Sequence, residues 1–409
     1  MPLIILLVLT FASLQCEAQP DLNVWSSNGP KAYITNVVGD PFNVNIVYAA
    51  SPDGIFKSVN NGVTWFIVNQ TDAFDVEADF VNPNTFYATN SLGVLKSTDG
   101  GANWSSLNST GGDRLAVARS DPNFIYTTTN AGIRVTTNGG ASWNTHAFPV
   151  AYEYVSVFEV DPQNPNVIYA FLGDFDFLLD LYKSTDGGLS WVQLFYGGGY
   201  HVSTTALKID PANPDIIYTS TYFGVYKSTN GGASWTLRGT VCFPGVPCDP
   251  PTALYLAIDP LAPATLYTIR SNGPYKSLDD GVTFSSFNNG FADVFVNGLA
   301  FEQTGKFLYA ATPSGVFSVR IRENAPSVSV SGRVVTSTGQ GIANALVRLT
   351  DSTGVRRNVR TSSFGFYAFD DVRRDEMILL GVSSKQYRFT SRSLFVNGNI
   401  QNGDFVGLE

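Results

Sequence analysis

Eight residues, Ser184 to Trp191 (STDGGLSW), recur along the chain with little change, and no other feature limits the fold as strongly. They return as SVNNGVTW from Ser58, STDGGANW from Ser97, TTNGGASW from Thr136, STNGGASW from Ser228 and SLDDGVTF from Ser277. The intervals of roughly 40 to 50 residues mark one supersecondary unit repeated in an array. The third residue (Asn60, Asp99, Asn138, Asp186, Asn230, Asp279) carries a short side-chain oxygen able to accept the backbone N–H groups of a tight turn. Gly at the fifth place permits φ > 0, and the closing aromatic anchors the next strand. These carboxylates read as turn-holders, because Asn stands at three of the six places and Asn is no general acid.

The rest of each repeat fits one template. An apolar strand ends in a DPxNP-like turn, as at Asp161–Pro165 and Asp210–Pro214. A short strand ending in Tyr and a small residue follows (Tyr48-Ala49, Tyr87-Ala88, Tyr169-Ala170), and a third strand such as GVYKS leads into the eight-residue turn and a fourth. Four antiparallel strands per repeat are the content of a propeller blade. A seventh unit, Leu299 to Ile321, supplies three strands but no turn, while Val24-Trp25-Ser26-Ser27 near the N-terminus resembles an orphan fourth strand. The expected fold is all-β: a seven-bladed β-propeller over 19–325, closed by the N-terminal strand so that no free edge remains, followed by a small β-sandwich over 326–409.

The pattern S-x-D-x-G-x-T-W resembles the Asp-box (BNR repeat) of sialidase-type and sortilin-like β-propellers. The resemblance implies that the box is a structural turn between the third and fourth strands of a blade. It implies little about function, since that architecture serves glycosidases, receptors and assembly factors alike. In the C-terminal unit, SGRVVTSTGQGIANALVRLTD followed by TSSFGFYAFDDV resembles the carboxypeptidase regulatory-like (prealbumin-like) domain. That resemblance implies a non-catalytic spacer in an exported bacterial protein.

Charge and cysteine usage narrow the partners. The net charge of −9 is uneven: residues 1–325 hold 15 Lys+Arg against 27 Asp+Glu, and 326–409 hold 10 against 7. An acidic body of this kind repels phosphate backbones, so nucleic acid is not an expected partner. Residues 1–18, MPLIILLVLTFASLQCEA, read as a secretory signal cut after Ala18, giving a secreted or cell-surface protein. Cys16 raises a lipid anchor as the one route to a membrane, with Gln15 standing where a small residue is wanted. Cys242 and Cys248, close together in an exported chain, read as a local disulfide pinning a Pro-rich loop. No metal or other cofactor is expected, the chain having only His146 and His201 as imidazole ligands.

The elaborations of the repeat all fall on the rim opposite the eight-residue turns. Insertions at 173–180 and 195–201, with the Cys242–Cys248 loop, gather Asp174, Phe175, Asp176, Phe177, Tyr196, Tyr200, His201, Tyr222, Phe223 and Phe243, with Asp180 nearby. Aromatic platforms rimmed by acids suit sugar rings or a peptide. The first functional reading is therefore a binding or scaffold module for a polysaccharide or protein ligand, with no catalytic residue assigned. The alternative is a glycoside hydrolase using two carboxyls about 5 to 9 Å apart, drawn from Asp75, Glu77, Asp113, Glu153 and Asp293. Sialidase chemistry in particular lacks its parts: the arginine triad and the Arg-Ile-Pro signature that the resemblance would bring are missing.

Overall fold

The computed structural model describes residues 22–408, apart from 28, 108–111, 130–131, 150–153, 174–178, 196–205, 222–223, 239–254, 271–272, 294, 323–326, 352–355, 374–375 and 397–398. The chain divides into two compact units, Met1–Arg322 and Glu323–Glu409. Every regular element among the described residues is a β-strand.

Among the described residues, the first unit holds seven four-stranded antiparallel sheets. Six are simple meanders in chain order; the first, for example, runs Asn36–Gly39, Val47–Ser51, Gly54–Ser58, Phe66–Asn69. The seventh joins Gly298–Phe301, Phe307–Thr312 and Gly315–Arg320 to the N-terminal strand Trp25–Ser27. Its register is Trp25↔Val319, Ser26↔Ser318, Ser27↔Phe317. The first strands of successive sheets pack side by side, and the strand of the seventh packs on that of the first, so the contacts close into a cycle. Trp25 fixes this closure. It is 2% exposed, its indole N–H donates to the Phe287 carbonyl at 2.7 Å, and its ring meets Phe287 and Phe291 edge-on.

Each eight-residue turn follows one hydrogen-bond plan. In the second sheet Ser97 Oγ donates to Asp99 Oδ1 (2.9 Å) and accepts the Gly101 N–H (2.9 Å). Asp99 Oδ1 also accepts the Asn103 N–H at 2.9 Å, and Trp104 Nε1 donates to the Gly101 carbonyl at 3.0 Å. Gly101 sits at φ +87°, where a β-carbon would be strained. Asn138 does the same work through its amide oxygen, accepting the Ser142 N–H at 2.9 Å.

The turns also join neighbouring sheets. The Tyr of each second strand (48, 87, 126, 169, 218, 267, 309) is fully buried. Tyr48 Oη and Lys57 Nζ of the first sheet both donate to the Gly100 carbonyl in the second sheet's turn, at 2.7 and 2.8 Å, with the ammonium over the Tyr48 ring. Tyr169 and Lys183 repeat this on Gly231, and Tyr218 and Lys227 on Asp280. In the third sheet His146 takes the lysine's part, its Nδ1 lying 3.1 Å from the Gly187 carbonyl. At the sixth-to-seventh junction, where no turn exists, Arg322 bonds the Gly305 carbonyl and Asp259 instead. At about 1 kcal/mol for each such bond, the repeated turn contributes to cohesion between sheets as well as to its own hairpin.

The second unit has a three-stranded sheet (Phe366–Arg373, Ser327–Val335, Phe405–Val406) and a four-stranded one (Arg356–Arg360, Leu346–Thr350, Glu376–Ser383, Arg392–Val396). Alternate residues of both, including Val330, Val334, Val347, Leu349, Tyr367, Phe369, Ile378 and Leu380, form one buried cluster.

Candidate functional site

The cycle of first strands encloses a central channel, and the repeat gives its wall a numbering. One backbone bond recurs at the end of every first strand: Asp40 N–H to Ile46, Asp79 to Thr85, Ala118 to Phe124, Asp161 to Val167, Asp210 to Ile216, Asp259 to Thr265 and Glu302 to Phe307. Counting back two residues from it gives Val38, Glu77, Ala116, Glu159, Lys208, Ala257 and Ala300; counting back four gives Asn36, Asp75, Arg114, Val157, Ala206, Tyr255 and Gly298. All fourteen line the channel, as alternation along a strand requires. The space consists of two chambers of about 230 and 260 Å³ that share Glu77, Phe80, Arg119, Glu159 and Lys208 at a waist.

The upper chamber opens at the starts of the first strands, the rim away from the eight-residue turns. Asp75 is buried there and accepts the Val76 N–H (2.9 Å), the Leu115 N–H (3.0 Å) and the Asn36 amide, linking three neighbouring first strands. Burial raises its pKa, against the pull of Arg114 and of those hydrogen bonds. Phe74 and Tyr255 complete the wall, and burial raises the Tyr255 hydroxyl, with Tyr33 close enough to add to the effect. Tyr33 and Phe295 stand 49% and 63% exposed; the segments that carry them are tied by Asn297 Nδ2 donating to the Ile34 carbonyl at 2.7 Å.

At the waist, Lys208 and Glu159 form an ion pair. Glu77 has no hydrogen-bond donor among the described residues, and its pKa is pushed up to about 8 by burial, then by Asp75 and Glu159, with Lys208 and Arg119 opposing. Arg119 rests its guanidinium 4.2 Å from the Phe80 ring centroid. Burial among protein lowers its pKa, with Glu77 and Glu159 opposing, and the group stays a cation as a guanidinium does in proteins.

The ten aromatic and acidic residues expected to form the site (Asp174, Phe175, Asp176, Phe177, Tyr196, Tyr200, His201, Tyr222, Phe223, Phe243) lie outside the described residues, as do Cys16, Cys242, Cys248 and Glu153. Asp180 lies in the strand Leu179–Ser184, opposite Leu172. Of the carboxyls weighed for hydrolysis, Asp113 is exposed and Asp293 Oδ1 accepts the Phe295 N–H at 3.3 Å. Asp75 and Glu77 share a strand, and Glu159, two sheets on, lines the same two chambers as Glu77 and is close enough to raise its pKa. Glu159, Lys208, Arg119, Tyr255 and Tyr33 were not singled out by sequence reasoning. The signal was present as charge at alternate positions of otherwise apolar first strands, DVEA and ALKI, which becomes visible only once the repeats are aligned. Among the described residues no group of His, Cys, Asp and Glu is placed to hold a metal ion.

Residues 329–405 match the carboxypeptidase regulatory-like domain. No curated protein matches the chain. Among solved structures, a GH74 enzyme from Niastella koreensis is similar at TM-score 0.59 and 14% identity, over 94% of this chain and 74% of that one. YCF48 bound to D1 peptide gives 0.56 and 14%, over 74% and 98%. The extracellular domain of BT4673 from B. thetaiotaomicron gives 0.58 and 12%, over 83% of this chain and 47% of that one. At such identities the likeness establishes the fold alone, a β-propeller.

Proposed function

We propose that the chain is an exported binding module. On this reading it is a seven-bladed propeller with Asp-box turns on one rim, closed by Trp25–Ser27 and carried on a C-terminal β-sandwich spacer. It recognises a polysaccharide or protein ligand on the rim away from the turns. The observation that carries the proposal is the mouth of the channel: Phe74, Tyr255 and Arg114 line it, exposed Tyr33 lies close enough to Tyr255 to act on its hydroxyl, and exposed Phe295 precedes the first strand Gly298–Phe301. Aromatic faces beside a guanidinium suit a sugar ring or a peptide. The strands that flank residues 174–178, 196–205 and 239–254 have their facing ends on that same rim. Similar folds are found in an extracellular domain, in a protein bound to a peptide and in a GH74 enzyme, which keeps both ligand classes and export in view.

A glycan and peptide array on the full chain, with a reducing-sugar assay alongside, tests this reading. Saturable binding that falls at least tenfold in Tyr33→Ala or Phe295→Ala, without sugar release, supports it. Binding indifferent to both substitutions rejects it.

Glycoside hydrolysis is the second reading, favoured by one observation: Glu77, a carboxyl whose pKa is pushed up to about 8, lines the same chambers as a second carboxyl, Glu159. Two things weigh against it. Lys208 already holds one Glu159 oxygen, and the chambers are small for a polymer. Sugar release abolished by Glu77→Gln and by Glu159→Gln would make this reading the better one.

A further inference from the structure

The seven repeats act as each other's controls at the waist. At the residue following the recurrent backbone bond, four sheets carry Pro (41, 162, 211, 260), one carries Gln303 and one Phe80; the third carries Arg119. The third sheet also has Ala118 where five others have an Asp that accepts two backbone N–H groups of the turn, as Asp161 does from Gln163 and Asn164 at 2.8 and 3.1 Å. The turn closes regardless, through Ala118 N–H to Phe124 O at 3.0 Å. The scaffold therefore does not call for a cation at this position. Arg119 nevertheless lines the channel with its guanidinium carbon 4.2 Å from the Phe80 ring centroid, and no protein acceptor bonds its guanidinium among the described residues. Glu77 faces the same space with no hydrogen-bond partner among them.

We infer that the channel waist is a binding site for a compact monocarboxylate, anchored by the guanidinium of Arg119, with Glu77 donating a hydrogen bond and the Lys208 ammonium nearby. A fork of N–H donors pre-oriented on an aromatic ring matches two carboxylate oxygens. The charge count favours a single negative charge. Glu77 is surrounded by Asp75 on its own strand, Glu159, Lys208 and Arg119. Lys208 is already paired with Glu159 and Asp75 with its own N–H donors, which leaves Arg119 as the cation with no protein acceptor among the described residues, and one negative charge is its match. Across the waist, Val38, Ala257 and Ala300 give an uncharged wall for the ligand's body. A chamber of about 230 Å³ takes on the order of eight waters, so the ligand is small rather than a chain. This site lies below the mouth and does not depend on what the rim recognises.

The test is isothermal titration of the full chain with acetate, lactate, gluconate and D-glucuronate, with glucose and inorganic phosphate as controls. At least one monocarboxylate is expected to bind saturably, and Arg119→Gln to weaken it at least tenfold with an unchanged melting temperature. Arg356→Gln, an exposed arginine of the second unit, should change affinity less than threefold. Binding should fall as pH rises through 8 in the parent and lose that dependence in Glu77→Gln. Failure of every carboxylate in the panel, equal binding of phosphate, or indifference to Arg119→Gln each overturns the inference. Rim binding measured on the arrays reports separately on the proposed module.

Discussion

Asp99 and Glu77 are both acidic side chains on the second sheet, and their surroundings push them in opposite directions. Asp99 lies in water on the turn rim, yet its pKa is drawn down to about 2, because the Asn103 side chain and backbone N–H and the Ser97 hydroxyl all bond the anion. Asp186 behaves alike, also near 2. Glu77 lies in the channel and rises to about 8, because protein crowds it and Asp75 and Glu159 repel its charge, with no donor to it among the described residues. Saturated polar groups of the first kind build scaffold. An ionisable group left unsatisfied in a cavity is a place for a ligand.

The comparison can be broken or sharpened by four experiments. The largest effect should come from the closing strand, on which both rims depend. Removing residues 19–30 should lower the melting temperature sharply, and Trp25→Ala alone should cost about 3–5 kcal/mol, since it deletes a buried indole and its bond to Phe287. Calorimetry on the two variants checks this; melts coinciding with the parent's would mean that the ring closes without the strand.

Next comes Ser97→Ala on the turn rim, which leaves the buried Gly101 N–H without its acceptor and should cost about 1–3 kcal/mol in urea unfolding. Glu77→Gln should do the reverse at alkaline pH. With its pKa raised from 4.5 to about 8 in the folded chain, the native state binds more protons than the unfolded one across that window. Stability therefore declines as pH rises from 4.5 to 8, and the variant should flatten that decline. Asp99→Asn should have the smallest effect, none measurable at neutral pH, because Asn holds three of the six turns. It should only remove the acid-side loss that the parent shows as pH falls through about 2, the sign expected for a depressed carboxyl.

The recurring octapeptide made the sheets legible from sequence, because its chemistry is local: Ser, Asp or Asn, Gly and Trp bond within eight residues. The closing strand was legible for a related reason, since a unit lacking its fourth strand and a spare strand elsewhere answer one another. The channel was legible only in Asp75 and Glu77, which were weighed as carboxyls without their partners. Glu77, Arg119, Glu159 and Lys208 come from four sheets and meet only when the ring is formed. Arg119 was further hidden inside a segment, ARSDP, that reads as an ordinary turn. The link from Tyr48 and Lys57 to Gly100 was missed likewise, because it spans two repeats.

The most direct measurement is a carboxyl ¹³C NMR titration of the full chain, with Glu77→Gln and Asp99→Asn assigning the two signals. Glu77 should titrate near 8 and Asp99 near 2. Both carboxyls titrating together near 4 would show that the two surroundings do not differ, and would remove the ground for assigning scaffold to one and ligand binding to the other.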